Sequence, residues 1–212
     1  MKHCYLCLLG LALAGQVGAQ TPAAPPPPPP PPLSTSFRSG SYLPTDIEDW
    51  QAAKLRYTAT PELQVQDATH KPDDPLVLLP GQLRSFVIGR DTFDVVRNVA
   101  VPVPAQQLPL AFARRLYRAG GFQVAEYVAY RFKPEPPVGY RLLLDRPGGR
   151  VLAVLPLEPR LFRMALAAAV RDYRPLADQL ELDPRVLPVQ LPELLAAYGR
   201  WKRTQSTATS SK

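Results

Sequence analysis

The hydrophobic period of this chain changes once, near Pro159, and that change constrains the fold more than any other feature. Before it, short runs rich in Val, Leu, Phe and Tyr are separated by Pro, Gly and Asp. Runs of this kind read as sequential antiparallel strands. They occupy residues 54–58, 63–66, 76–79, 83–88, 92–96, 112–118, 122–132, 140–145 and 151–155. Ala119-Gly120-Gly121 and Arg146-Pro147-Gly148-Gly149 are the best hairpin turns, with Gly89-Arg90-Asp91 a third, because glycine accepts the positive φ that tight turns demand.

After Pro159, the residues Leu161, Phe162, Ala165, Leu166, Ala169, Val170 and Tyr173 recur at helical spacing. Pro159 suits the first turn, and Arg160, Arg163 and Arg171 take the outer side. Pro175 breaks or restarts this helix. A second, short helix begins near Pro192 with Leu191, Leu194, Leu195, Tyr198 and Trp201 as its apolar stripe. Strands first and helices last predict an α+β fold: an antiparallel β-meander sheet followed by one or two C-terminal helices packed on it. Within residues 122–132, Phe122, Val124, Val128, Tyr130 and Phe132 form the heavier face. Gln123, Ala125, Tyr127, Ala129 and Arg131 form the lighter one, so the sheet is expected to have one packed and one partly solvated side.

The ends read differently. Residues 1–19 have the form of a signal peptide: Met1-Lys2-His3, a short apolar run from Cys4 to Ala14, and the small residues Val17-Gly18-Ala19 before the expected cut. Cleavage removes Cys4, Cys7, His3 and Lys2, which leaves a thiol-free chain with His70 as its only histidine and lowers the formal charge from +7 to +6. Such a chain has no disulfide and no thiolate ligand. Residues 20–40 form a Pro-rich disordered spacer containing eight consecutive prolines, Pro25 to Pro32. Proline fixes φ and removes the amide donor, so this run is a polyproline II rod. Residues 41–203 form a single globular α+β domain, and the Ser/Thr-rich residues 204–212 a disordered tail.

One resemblance rests on these patterns. Phe112, Leu116, Gly120 and Val124, followed by Tyr127 and Tyr130, resemble a strand-turn-strand core in a diffuse group of uncharacterised exported proteins of Gram-negative bacteria. There it is preceded by a segment like Leu79-Pro80-Gly81-Gln82-Leu83-Arg84-Ser85-Phe86. It is followed by a tail like Phe162, Leu166, Val170, Asp172-Tyr173 and Leu176, with a last helix ending near Tyr198. The likeness spans residues 79–201 and implies an antiparallel sheet followed by C-terminal helices; no activity or catalytic residue comes with it.

The chemistry of the residues narrows function mainly by exclusion. Asp67-Ala68-Thr69-His70-Lys71-Pro72-Asp73-Asp74 reads as a polar hairpin loop and matches no EF-hand spacing. No G-x-S-x-G occurs, and no glycine-rich phosphate loop precedes a helix. The sequence therefore calls for no catalytic residue, no metal and no cofactor. Glu126, the one acid inside a strongly apolar strand, either pairs with an arginine such as Arg114, Arg115 or Arg118, or sits buried with a raised pKa as an acid. Arginine outnumbers lysine 19 to 6. Arg114, Arg115 and Arg118 cluster, as do Arg141, Arg146 and Arg150, and guanidinium forks suit carboxylates and phosphates. The binding candidates are Arg114, Arg115, Arg118, Arg141 and Glu126. The expected protein is an exported, non-catalytic envelope domain acting by binding or structure, in the periplasm, on the outer surface or outside the cell. Its partner would be an envelope protein or an anionic polymer, not nucleic acid, and after cleavage it is not an integral membrane protein. The alternatives are a carboxylate/arginine enzyme centred on Glu126 and an arginine-driven binder of anionic glycan or lipid.

Overall fold

The computed structural model describes residues 36–58, 62–102, 105–129, 138–145 and 149–209. The expected signal peptide, the proline run, residues 130–132, the turn residues Arg146-Pro147-Gly148 and the last three positions lie outside the described residues.

The strands are β1 (Arg38–Pro44), β2 (Gln51–Tyr57), β3 (Leu63–Gln66), β4 (Leu76–Leu78), β5 (Leu83–Ile88), β6 (Asp91–Pro102), β7 (Ala105–Ala119), β8 (Phe122–Ala129), β9 (Val138–Leu144) and β10 (Val151–Leu155). The helices α1 (Pro159–Ala169), α2 (Arg174–Leu182) and α3 (Leu191–Thr209) follow them. All ten strands join one sheet in the order β10-β9-β8-β7-β6-β5-β1-β2-β3-β4, with antiparallel neighbours throughout. The α+β class with strands before helices is therefore the observed one. The connectivity is two meanders, β1–β4 and β5–β10, joined where β5 returns to pair with β1.

Two geometric facts roll this sheet. Leu78 and Leu83, the facing ends of β4 and β5, are five residues apart in the chain, about 17 Å at full extension. In a flat sheet the four inter-strand steps between β4 and β5 would alone span ~19 Å, so β1–β4 must curl. They curl over Leu55, Leu63, Val65, Phe86, Phe93 and Phe112. The rings of Tyr57, Phe86, Phe93 and Phe112 meet at 4.7–5.7 Å between centroids in this first core.

The second half closes on itself. β10 curls round until Arg150 forms a parallel bridge with Arg97 of β6, whose amide donates to the Gly149 carbonyl at 3.1 Å. The interior of this five-strand roll is filled by Val96, Val99, Ala111, Ala113, Ala125, Tyr140 and Leu142. Alanines at its centre are what so tight a curve can hold. The outside of the roll carries the third core, in which Phe162, Leu166 and Val170 of the first helical segment cover Val124, Leu143 and Leu155. This corrects the expected one-sided sheet: Val124 faces the helices and Ala125 faces the roll interior, both at 0% exposure. The lighter face is small because it is the concave one.

Two further differences have local causes. β1 begins at Arg38, inside the stretch read as spacer, because pairing with β2 on one side and β5 on the other supplies what its sequence Arg-Ser-Gly-Ser lacks in propensity. α3 continues to Thr209, beyond its apolar stripe; Thr204, Ser206 and Thr207 donate back to helix carbonyls three or four residues earlier. Pro175 restarts rather than ends the helical region, as the second residue of α2. Glu158 caps α1, accepting from the amides of Arg160 and Leu161 at 2.9 and 2.7 Å. Those bonds hold its carboxyl below the usual carboxylate range. Among the described residues no helix is long and apolar enough to cross a membrane.

At the β7–β8 turn the sheet and α3 meet backbone to backbone. Gly120 and Gly121 both have positive φ, 60° and 88°, as a two-residue hairpin requires. A Cβ on Gly120 would lie 2.0 Å from the Leu195 carbonyl oxygen, and one on Gly199 would lie 2.6 Å from the Gly120 Cα. Gly199 is helical, where alanine is otherwise favoured by about 1 kcal/mol. Gly199→Ala should nevertheless cost about 2–3 kcal/mol, seen as a lower thermal midpoint, because α3 must lift off the turn. An unchanged or higher midpoint would mean the contact is loose.

Candidate functional site

The polar side chains of the sheet sort onto its two faces. On the helix-bearing face, Arg114 of β7, Glu126 of β8 and Arg141 of β9 are directly opposed across the strands. Glu126 Oε2 accepts from Arg114 Nη2 at 2.5 Å and Oε1 accepts from Arg141 Nη1. Arg114 Nη1 also reaches Asp91 at 3.3 Å. The Glu126 side chain is 4% exposed, against 18% for Arg114 and 15% for Arg141. Arg114 Nε is buried without a partner. Both carboxylate oxygens are thus held, and the geometry is that of a cross-strand clamp between the aromatic core and the helix core. A buried carboxylate removed from such a pair leaves uncompensated charge.

Arg115 and Arg118 lie on the other face. A register shift between Arg115 and Tyr117 inserts one extra residue, so that Arg115 pairs with Ala125 while Arg118 pairs with Gln123. Without this bulge, residues three apart would point to opposite faces. The three arginines that cluster in the sequence are therefore split: Arg114 goes to Glu126, and Arg115 and Arg118 go to a cleft of about 420 Å³ at the end of the roll, beside the Arg97–Arg150 seam. Arg84 and Arg97 join them there.

The acids of the cleft are already engaged. Asp94 accepts from Arg115 Nε at 2.8 Å and Nη2 at 2.6 Å, from Gln123 Nε2 at 2.7 Å and from Ser85 Oγ at 3.0 Å. Its hydrogen bonds strengthen the proton affinity of Arg115, which burial would weaken. Asp145 accepts from the Arg150 amide at 3.0 Å and faces the Arg150 guanidinium at 3.5 Å. Arg84 donates to the Thr45 carbonyl, which carries no charge, and among the described residues Arg97 and Arg118 have no side-chain hydrogen bond or ion pair. Arg84, Arg97 and Arg118 thus keep their positive charge uncompensated over a floor that includes Leu83, Val95 and Leu110. Arg84 and Arg97 are the residues that sequence reasoning passes over. They stand alone in their strands, and only the roll brings them to the bulge.

Asp67 organises the His70 loop. Asp67 Oδ1 accepts from the amides of Thr69 and His70 at 2.8 and 2.9 Å and contacts the Thr69 hydroxyl and His70 Nδ1 at similar distances. The bonds from Thr69, then from His70, hold the Asp67 carboxyl well below the usual carboxylate range. Among the described residues no three His, Cys, Asp or Glu side chains gather to hold a metal ion.

No family model matches the chain, and it matches no curated protein and no solved structure.

Two measurements probe the clamp. Glu126→Gln should lower the denaturant midpoint by the equivalent of about 3 kcal/mol without changing the slope of the transition, because two part-buried guanidiniums lose their partner. Beside the clamp, burial pushes the Tyr117 hydroxyl up to about 12; Arg141 pulls it down and Glu193 pushes it further up. The folded state therefore holds this proton more tightly than the unfolded chain, whose tyrosine titrates near 10. The associated stability is intact below pH 10 and is lost as pH rises through about 12. Unfolding curves of Tyr117→Phe should show a shallower loss of stability over that window than the parent.

Proposed function

We propose that this chain is an exported, non-catalytic envelope domain that acts by binding, with the arginine cleft as its contact for an anionic envelope component. The observation that carries the reading is charge bookkeeping in the cleft: both of its acids have an arginine of their own, and three guanidiniums are left over. Guanidiniums with free forks bind oxyanions bidentately. Export rests on the signal-like residues 1–19. The resemblance to exported proteins of Gram-negative bacteria agrees with that placement. The enzyme alternative has less behind it, since Glu126 has an arginine on each oxygen and a side chain only 4% exposed.

The test is retention of the mature protein on an immobilised polyanion across a salt gradient. Retention should weaken steeply with salt, because exposed charges are screened over ~8 Å at physiological ionic strength. Arg97→Ala and Arg118→Ala should each reduce affinity roughly tenfold, the effect of losing one hydrogen bond to a charged group. Salt-insensitive retention, or retention indifferent to both substitutions, would remove the reading.

A further inference from the structure

The cleft restricts its ligand further than a preference for negative charge, and we infer that it is built for a phosphomonoester on a small polyol or sugar. This rests on the anion-binding reading above and names its ligand class. Arg84, Arg97 and Arg118 supply three positive charges that no carboxylate among the described residues pairs with, around a space of about 420 Å³. A single carboxylate brings one negative charge and two oxygens, and a polyuronate brings one such group per sugar ring. A phosphomonoester brings −1.5 to −2 and three acceptor oxygens on one atom. It is the compact group that offsets most of the excess and gives each guanidinium an oxygen. The remainder of the ligand has a place as well. Val95 and Leu110, both half-buried, line the same cleft and offer apolar surface to the carbon face of a ring or a short polyol.

Arg115 is a positioning residue here. Its Nε and Nη2 are committed to Asp94, which Gln123 and Ser85 hold in turn. The bulged strand is thereby tied to β6 and β8 in the register that brings Arg118 to the cleft. Two sources share the ligand chemistry, a phosphorylated sugar and a phosphorylated glycerol head group.

The assay is calorimetric titration of the mature protein at low salt with glucose 6-phosphate, glycerol 3-phosphate, glucuronate and glucose. The phosphorylated probes should bind, glucuronate at least tenfold more weakly and glucose not measurably. The tighter of the two phosphorylated probes identifies the source. Affinity for the phosphorylated probes should rise severalfold between pH 5 and pH 7, as the phosphate loses its second proton near pH 6. The charged groups facing the ligand are Arg84 on β5, Asp94 and Arg97 on β6, Arg115 and Arg118 on β7, and Asp145 at the end of β9, with no histidine among the cleft residues. Arg97→Ala and Arg118→Ala, both at exposed positions, should each weaken binding of the phosphorylated probes at least tenfold while leaving the thermal midpoint unchanged. Glucuronate binding as tightly as the phosphorylated probes would overturn the ligand class and leave anion binding standing. Failure of every probe together with loss of polyanion retention would overturn both. Phosphate binding that survives both substitutions would overturn the site.

Discussion

The strand pair β6–β7 serves three apolar cores at once, and the rest of the molecule is arranged around that constraint. Phe93 and Phe112 belong to the aromatic core under β1–β5, Val96 and Ala113 fill the roll, and Leu116 and Tyr117 pack under the helices. A regular ribbon alternates between two faces and cannot do this over its whole length. Two irregularities make it possible. Asn98, at φ 58°, stands opposite Pro109, which has no amide to donate. There Val96 and Val99, an odd number of residues apart, both enter the roll. At the other end of β7, the bulge at Arg115–Tyr117 shifts the alternation a second time.

The candidate site is a by-product of that second shift. The residue that lets Tyr117 reach the helices also places Arg118 on the same side as Arg115. The buried clamp and the open cleft are therefore two faces of one bulged strand. Arg114 neutralises Glu126 inside, and its neighbour Arg115 neutralises Asp94 at the cleft. Burial makes the first pair structural. The second region stays open and holds a surplus of arginine.

Much of the fold was legible because hydrophobic period and turn chemistry are local. The strands at 83–88, 112–118, 140–145 and 151–155, the Gly120-Gly121 turn and the helix from Pro159 all stand near their expected places. β1 was not legible, since Arg38-Ser39-Gly40-Ser41 becomes a strand only between two partners, and Gly40 is needed there because a Cβ would sit 2.2 Å from the Val87 carbonyl oxygen. The closure of the roll was not legible either, because the Arg97–Arg150 seam joins positions far apart in sequence. For the site, pairing of Glu126 with arginine followed from burying a carboxylate in an apolar strand. The division of Arg114 from Arg115 and Arg118 is set by a bulge with no glycine to announce it. Arg84 and Arg97 carry no local signal at all.

The seat of the β7–β8 turn on α3 bears on the order in which the chain can mature. Gly120 meets Gly199 across backbone atoms, so the hairpin tip finishes packing only against a helix made long after it. Until that helix emerges, Phe122 lacks the Tyr198 ring that meets it at 5.4 Å, and this end of the sheet's helix-bearing flank stays open although α1 already covers Val124 and Leu143. The sheet can therefore form before its last cover does, and the final docking of α3 on the glycine turn is what closes this side of the molecule.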